Sequence, residues 1–560
     1  MSFSPALLFH SRNPTARTTF VRLALLALIL FAYAWRVSGL TRQSLWRDEV
    51  DAIYFALRDL PDTLAMFVAM AQNGPLYFLT LRLWFYFIGA SEFALRYPSV
   101  IAGTLAIPLT WLVAQRLMIA LPPTRAEAAV SDEAHRDIQV NRAGLLTATT
   151  LPLLAALLLA VNPYQLWYGQ EGKMYAIITA LTLLAHWLWL QGIRRGGWRI
   201  WGGYCLVVSC AIYTHLLMIM LIPLHMIWFL LAWPQSKAHW RGYGGALAGL
   251  TLPYLPLLVW QWPMLLANEA KTGFNFVPLS KMVESLAMSH NNGLLPPAPW
   301  LNLLPMLFLA LVGMLLGGGA IQAVTAALPA SAMESASSTL GSWRRHALLL
   351  CWLIFPVLMI YGLSLRQPVY TDRYVIWIAP ALMILMTLGA RTIRDNAGPL
   401  ATPLVVVLLL YTIGFWGYRG WLETTTTIKY DLRDGVTYVA ERRDPATLLI
   451  LQIPHQQWAW QYYTGDNSFD LFATGPARLG NWAEGLWTNG GESDAEATAV
   501  VDEQMRAITS ASNEVWLLSS EVEMWDARHL MRAWLDNHAA LIEQAEFHGV
   551  QARHYRFVGK

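Results

Sequence analysis

Apolar stretches close to the length of a bilayer crossing recur along this chain from Val21 to Trp416, and this feature decides its class. Each stretch reads as a transmembrane helix, which needs about 20 apolar residues. The 560 residues are 56% hydrophobic and only 13% charged, too little charge to cover the surface of a soluble protein of this size. The expectation is a mainly α, polytopic protein integral to the plasma membrane.

The first run, 21–34, follows Arg12, Arg17 and Arg22 and contains Ala32-Tyr33-Ala34, a weak signal-cleavage pattern. It is long for a signal core, so it reads as a retained anchor with a cytoplasmic N-terminus. A net charge of +3 argues against a nucleic-acid partner. Cys205, Cys210 and Cys351 all lie in apolar segments without CxxC spacing, which suggests neither a disulfide frame nor a thiolate metal site.

The apolar piece at 75–89 is short and interrupted by Arg82, and it reads as interfacial or re-entrant. The other spans then fall near 93–117, 143–161, 174–193, 198–215, 217–233, 243–263, 299–319, 346–365, 374–390 and 399–417. The total is about eleven spans. This count puts Arg116, Arg125, Arg136, Arg142, Arg194, Arg195, Arg199, Lys237, Arg241, Arg344, Arg345, Arg391 and Arg394 in inner loops, as the positive-inside rule requires. The first outer loop, 39–92, breaks the rule with Arg42, Arg47 and Arg58, although its acids offset them. Stretches 122–141 and 327–342 read as mobile connections. Residues 1–418 thus read as a membrane domain, 419–427 as a linker and 428–560 as a small soluble α/β domain. Strands are expected at 448–453, 515–518 and 554–558, and helices at 434–442 and 527–537. An odd number of spans makes this domain extracytoplasmic.

Four outer-face clusters could carry chemistry, and each also has a structural reading. Trp46-Arg47-Asp48-Glu49 offers adjacent carboxylates, one to act as general base and one to tune it. It also reads as an ordinary acidic helix start after Ser44. Tyr168, Gln170, Glu171, Lys173 and Tyr175 follow Asn162-Pro163-Tyr164; they form either an interfacial belt or a set of membrane-edge ions with a purpose. His215, in Tyr213-Thr214-His215, is either a bonded structural histidine or a donor to phosphate or metal. Arg366 and Tyr370-Thr371-Asp372-Arg373-Tyr374 supply guanidinium for bidentate phosphate contact, or a salt bridge to Asp372 or to a residue of the first loop. No GxGxxG, Walker loop or HExxH occurs.

In these residues the chain resembles the GT-C membrane glycosyltransferases. The likeness is to the protein O-mannosyltransferase and aminoarabinose-transferase superfamily and its bacterial glycosyltransferase family 39-like members. The pieces that carry it are Ser44-Leu45-Trp46-Arg47-Asp48-Glu49, Asn73-Gly74-Pro75-Leu76-Tyr77, the run from Ser91 to Ser99, Gln170-Glu171-Gly172-Lys173-Met174-Tyr175, Tyr213-Thr214-His215, Arg373-Tyr374 and Lys429-Tyr430-Asp431-Leu432-Arg433. They cover most of the membrane part in consistent order, and the soluble tail only loosely. The resemblance implies the GT-C fold and transfer of a sugar from a polyprenyl-phosphate donor to a lipid, glycan or protein hydroxyl. It implies Asp48 as catalytic base, Glu49 in support and Glu171 as a second acid. Donor-phosphate binding then falls to Arg373, Lys173, Arg366, His215 and Tyr374, and substrate contact to Trp46, Tyr168 and Tyr175. Many relatives carry Arg at the place of Lys173, and His-Pro-Pro at Asn73-Gly74-Pro75. No cofactor is indicated; a divalent metal held by carboxylates and His215 stays open.

Three rivals start from the same residues. A lipid-linked sugar flippase would hold its ionisable groups near the bilayer midplane, whereas these lie at outer helix ends. A polysaccharide polymerase or ligase would concentrate chemistry in a late outer loop, yet 270–300 offers only Lys271, Lys281, Glu284 and His290. A sensor would bind its ligand in the soluble tail.

Overall fold

The computed structural model describes residues 14–65, 74–118, 150–255, 275–326, 342–453, 455–464, 482–484 and 493–557. Asn73, Lys271, the stretches 122–141 and 327–341, and parts of the expected spans at 143–161 and 243–263 lie outside the described residues. The chain divides into two compact units. One comprises Met1–Ser38, Ala65–Tyr77 and Arg96–Thr424; the other comprises Gly39–Leu64, Phe78–Leu95 and Thr425–Lys560.

Helix α1 spans Pro14–Val37, α2 Arg47–Leu57, α3 Pro75–Ile88 and α4 Glu92–Met118. Next come α5 (Leu151–Val161), α6 (Pro163–Tyr168), α7 (Tyr175–Arg195) and α8 (Trp198–Thr214). They are followed by α9 (Leu221–Leu231), α10 (Trp240–Thr251), α11 (Leu279–Asn292), α12 (Leu304–Ala326) and α13 (Ser342–Ser364). Helices α14 (Ala379–Asn396) and α15 (Ala401–Thr425) close the apolar series. Helix α15 continues through most of the stretch that composition reads as a linker.

Among the described residues, seven helices are long and apolar enough to cross a membrane, which makes the chain an integral membrane protein. The apolar helices at 151–161 and 216–231 are shorter, as is α3. Fourteen residues in α3 reach only about 21 Å at the helical rise, short of a bilayer core of about 30 Å. Burial separates the long helices. The span Asp372–Asn396 is 94% buried and Thr19–Val37 only 22%, so α14 runs inside the bundle and α1 along its surface.

Apolar side chains gain little by leaving lipid for other apolar side chains, so membrane helices associate by close backbone approach at small residues. Helices α12 and α14 do this. A Cβ placed on Gly313 would collide with the carbonyl oxygen of Leu385, and one on Gly389 with that of Leu309.

The second unit contains α2 and, after Thr425, a five-stranded sheet of order β2-β1-β3-β5-β4. Strand β1 is Leu448–Leu451, β2 Trp482–Glu484, β3 Glu514–Ser520, β4 Ala539–Phe547 and β5 Val550–Phe557. Strand β1 pairs parallel with β2 and β3; β5 pairs antiparallel with β3 and β4. Parallel strands are covered on both faces, and all four residues of β1 are buried. Helices α16 (Leu432–Arg442), α17 (Gln456–Tyr463), α18 (Asp494–Thr509) and α19 (Leu530–His538) accompany the sheet. One face packs Leu448, Ile450, Val515 and Leu517 against Val501, Met505, Met531 and Leu535. The unit is α/β, as composition suggests.

Gly389→Val should force α12 and α14 apart at a backbone contact, at a cost of about 1–3 kcal/mol for overpacking. The detergent-solubilised variant should unfold at a lower temperature than wild type; an unchanged midpoint would refute the close crossing.

Candidate functional site

The expected site residues fall into the two units. Trp46, Asp48 and Glu49 belong to the sheet-containing unit; Tyr168, Glu171, Lys173, Tyr175, His215, Arg366, Arg373 and Tyr374 belong to the helical one.

In the sheet-containing unit the chain leading to Asp48 is pinned along its length to the start of the soluble domain. Arg42 donates to the Thr425 carbonyl at 3.2 Å and the Gln43 amide to Thr426 at 3.0 Å. Gln43 Oε1 accepts the N–H groups of Ile428 at 2.8 Å and Lys429 at 2.9 Å. Ser44 does not cap α2. Its hydroxyl donates to the Tyr430 carbonyl at 2.7 Å and accepts the Leu432 N–H at 3.2 Å, while Trp46 stands at the N-cap with no side-chain bond. Leu45 N–H donates to Tyr463 Oη at 2.7 Å, and Tyr463 Oη donates to Glu92 at 2.7 Å. Arg433 donates to Glu92 and to the carbonyls of Thr41 and Gln43.

The two adjacent acids are treated differently. Glu49 is fully buried and its Oε2 lies 2.8 Å from Lys429 Nζ, itself 6% exposed. The Asp48 side chain keeps 17% of its surface, with Oδ1 3.9 Å from Arg47 Nε. Glu49 is thus committed to a buried ion pair, and Asp48 is the more accessible of the two carboxylates. Around them Arg47 reaches Glu521 at 3.5 Å and His455 Nδ1 lies 3.6 Å from Asp51. Tyr54 stacks on Trp458 at 4.1 Å. The bond to Asp51 raises the pKa of His455, and burial raises that of Glu521. Glu521 also stands in the left-handed region at φ 50°, a costly conformation for a residue with a side chain. A cavity of about 10 Å³ between Arg47, His455 and Glu521 has room for about one water and none for a sugar.

In the helical unit an aromatic run links the other residues. The rings of Tyr164 and Tyr168 are 5.0 Å apart, and those of Tyr168 and Tyr175 are 5.1 Å apart. His215 lies 4.8 Å from Tyr374 and 6.3 Å from Tyr175. The Arg373 guanidinium sits 5.6 Å above the Tyr175 ring, within cation–π range. Glu171, almost fully buried, accepts the Trp167 indole N–H at 2.9 Å. Gln170 ties this loop to α1 through the carbonyls of Arg36 and Ser38, both at 2.9 Å, and Ser99 donates to the Lys173 carbonyl at 2.9 Å. Lys173 is buried, and no carboxylate pairs with it among the described residues. Both ring nitrogens of buried His215 lack a hydrogen-bond partner among the described residues. Arg366 is exposed, just beyond the end of α13.

Spacing did not single out His290 for this cluster, and it offered Asp372 only as a salt-bridge partner. His290 lies 5.2 Å from Tyr164, again with both nitrogens unbonded among the described residues. Asp372 accepts the Ser289 hydroxyl at 2.6 Å and the Arg373 N–H at 2.8 Å, which braces the arginine's backbone. A Cβ on Gly74 would meet the Tyr213 carbonyl, so the segment opening α3 needs a glycine there. Among the described residues no group of three or more His, Cys, Asp or Glu could hold a metal ion.

No protein-family model and no curated protein sequence matches this chain. Solved structures do. ArnT from Cupriavidus metallidurans bound to undecaprenyl phosphate superposes with a TM-score of 0.52 at 11% identity, over 96% of this chain and 98% of that one. The archaeal oligosaccharyltransferase AglB from Archaeoglobus fulgidus, in complex with an inhibitory peptide and a dolichol-phosphate, gives 0.53 at 11% identity, over 97% and 75%. Both have the GT-C fold. This chain has the GT-C fold.

Lys429→Met should leave Glu49 buried without its counter-charge and cost about 3–5 kcal/mol; Glu49→Gln/Lys429→Met should recover most of that. A thermal-unfolding cycle in detergent reads the coupling, and additive single effects would refute the pair. His455 also predicts a pH trend. A histidine whose pKa is raised on folding stabilises fully below its unfolded value and loses that contribution as pH rises through the folded one. The stability advantage of wild type over His455→Gln should therefore be greatest below about pH 6.5 and shrink as pH rises above it. An advantage that grows with pH contradicts the Asp51 contact.

Proposed function

We propose that this GT-C chain is a membrane glycosyltransferase that moves a sugar from a polyprenyl-phosphate carrier to a hydroxyl acceptor at the outer face of the membrane, where its C-terminal domain also lies. The reading is carried by one observation: Arg373, His215 and the Lys173 loop meet at the Tyr175–Tyr374 pair, with Lys173 buried and unpaired among the described residues. Cations at the end of a membrane helix are costly unless an anion answers them. The undecaprenyl phosphate bound to ArnT and the dolichol-phosphate bound to AglB indicate the class of anion.

The chemistry follows from what each group can do. A phosphate that leaves with the polyprenol already carries its negative charge well, so transfer needs cationic stabilisation of that charge more than a strong general acid. Arg373 is assigned this task through its bidentate geometry. Lys173 adds a point charge, and His215, Arg366 and Tyr374 add donors. Asp48, the water-accessible acid of the pair, takes the proton of the acceptor hydroxyl as that oxygen bonds to the anomeric carbon and the carbon–phosphate-oxygen bond breaks. A single displacement of this kind inverts the anomeric centre. Glu49, locked on Lys429, holds the turn that carries Asp48. Glu171, Trp46, Tyr168 and Tyr175 are assigned to the sugar, the aromatics through their apolar faces.

Asp48→Asn should lower transfer by about 10²–10⁴-fold, the usual contribution of a positioned base, while insertion and thermal stability stay at the wild-type level. Near-normal turnover in that variant would remove Asp48 from the role. Arg373→Lys should also reduce turnover, because ammonium cannot reproduce the bidentate contact.

A further inference from the structure

The arginine beside the proposed base is shared with a second carboxylate. Arg47 precedes Asp48 in the first turn of α2, and its Nε lies 3.9 Å from Asp48 Oδ1. Its Nη1 meets the segment that follows β3: it lies 3.5 Å from Glu521 Oε2 and donates to Met524 Sδ at 3.0 Å. One guanidinium thus faces two acids. An arginine that closes on a carboxylate favours the ionised form and weakens it as a proton acceptor. Whatever shares this arginine therefore bears on what Asp48 can do.

Glu521 makes its contact from an unfavourable position. Its backbone stands at φ 50° and ψ 38°, and only one other non-glycine among the described residues has a positive φ. Its carboxylate is also buried, with 9% of the side chain exposed. Strain of this kind persists only where the surroundings fix it. Here Gln456 donates to the Ser520 hydroxyl at 2.7 Å, and the Glu521 carbonyl accepts the Met524 N–H at 3.0 Å. The place in the fold is telling as well. Strands β1 and β3 are parallel neighbours, with β2 on the far side of β1. Open α/β sheets bind ligands outside the carboxyl ends of such strands. In this chain those ends lead to Ile453 and Glu521, which line the one-water cavity together with Arg47 and Val50 of α2. The edge where such a sheet would hold a ligand holds the turn that carries Asp48.

We propose that Glu521 is a positioning residue for the transfer: it holds the Arg47 guanidinium and keeps it from closing on Asp48, which leaves that carboxylate able to accept a proton. This role rests on Asp48 acting as the base. The other charged groups around the turn have their own partners or lie further off. Glu49 pairs with Lys429, and Asp51 with His455. Tyr430 lines the same cavity, and Glu523 acts on it electrostatically. Burial raises the pKa of Glu521, Arg47 opposes that rise and Asp48 adds to it, so the three groups respond to one another. Neutralising Glu521 releases the guanidinium to Asp48, the nearer of the remaining acids on its own turn.

The test titrates Asp48 in the purified full chain in neutral detergent. A water-soluble carbodiimide modifies protonated carboxyls, so the extent of Asp48 labelling against pH, read by peptide mass spectrometry, gives a midpoint for that side chain. In Glu521→Gln the midpoint should fall by about 0.5–1 pH unit. Glu521→Gly, which suits the left-handed backbone and cannot fail through strain, should show the same fall. In an Arg47→Gln background the effect of Glu521→Gln should shrink to less than half, because no guanidinium is left to release. It should persist in His455→Gln. An unchanged midpoint in folded Glu521→Gln and Glu521→Gly overturns the role. An equal fall with and without Arg47 also overturns it, since the two carboxylates then act on each other directly. Loss of the effect in His455→Gln would assign it to the histidine instead. With radiolabelled polyprenyl-phosphate sugars as donors, Glu521→Gln should lower kcat about three- to tenfold and leave the donor KM within about twofold, as a weakened base does. Wild-type kcat despite a shifted midpoint would overturn the role in transfer. Full transfer by Asp48→Asn would instead remove the base itself, whatever the labelling shows.

Discussion

The buried pair of Glu49 and Lys429 sets the geometry on which the proposed chemistry rests. A carboxylate closed to water is tolerable only with a partner as close as this, and breaking such a pair is far worse than never having made it. Its position gives it reach. Glu49 stands in the first turn of α2 beside Asp48, and Lys429 lies at the beginning of the soluble domain. Gln43, Ser44 and Arg433 continue the attachment through the backbone on either side. The first loop and the tail therefore belong to one folded unit. A domain that looks like an appendage in the order of the sequence serves as the mount for the acid assigned the proton transfer.

The division between the two carboxylates follows from solvation. Adjacent acids cannot both be buried and charged without separate compensation. Here one is neutralised by a lysine and kept from water, and the other, only partly buried, keeps some contact with water. The cationic side works differently. Arg373 lies over a tyrosine ring, its backbone braced by Asp372, and His215 sits among rings with its nitrogens uncommitted among the described residues. Packing holds such groups in place.

Much of this was legible in the residues. Apolar runs of crossing length mark the long helices because a lipid-facing helix must be apolar along its whole length. The shortness of 75–89 likewise appears as α3. Strands β1 and β3 were readable as short apolar runs, and β5 from its aromatic content. Strand β4, Ala-Ala-Leu-Ile-Glu-Gln-Ala-Glu-Phe, was not, because its composition favours a helix and only pairing with β5 makes it a strand. Helix α18 carried a signal that went unused, the capping box from Ser493 to Glu496. Ser44 misled: it looks like a cap and instead bonds across to Tyr430 and Leu432, a long-range contact that no local pattern encodes. Lys429 and His290 were opaque for the same reason, since each acquires its meaning from a residue more than a hundred positions away.

The central claim is that sugar leaves a polyprenyl phosphate on this protein. Incubating the purified chain with a panel of polyprenyl-phosphate sugars, each radiolabelled in the sugar, tests it most directly. At least one donor should lose its label to an acceptor while releasing an equal amount of unlabelled polyprenyl phosphate. Label that stays on its lipid with every donor, or that crosses a vesicle membrane still attached to it, would contradict the account.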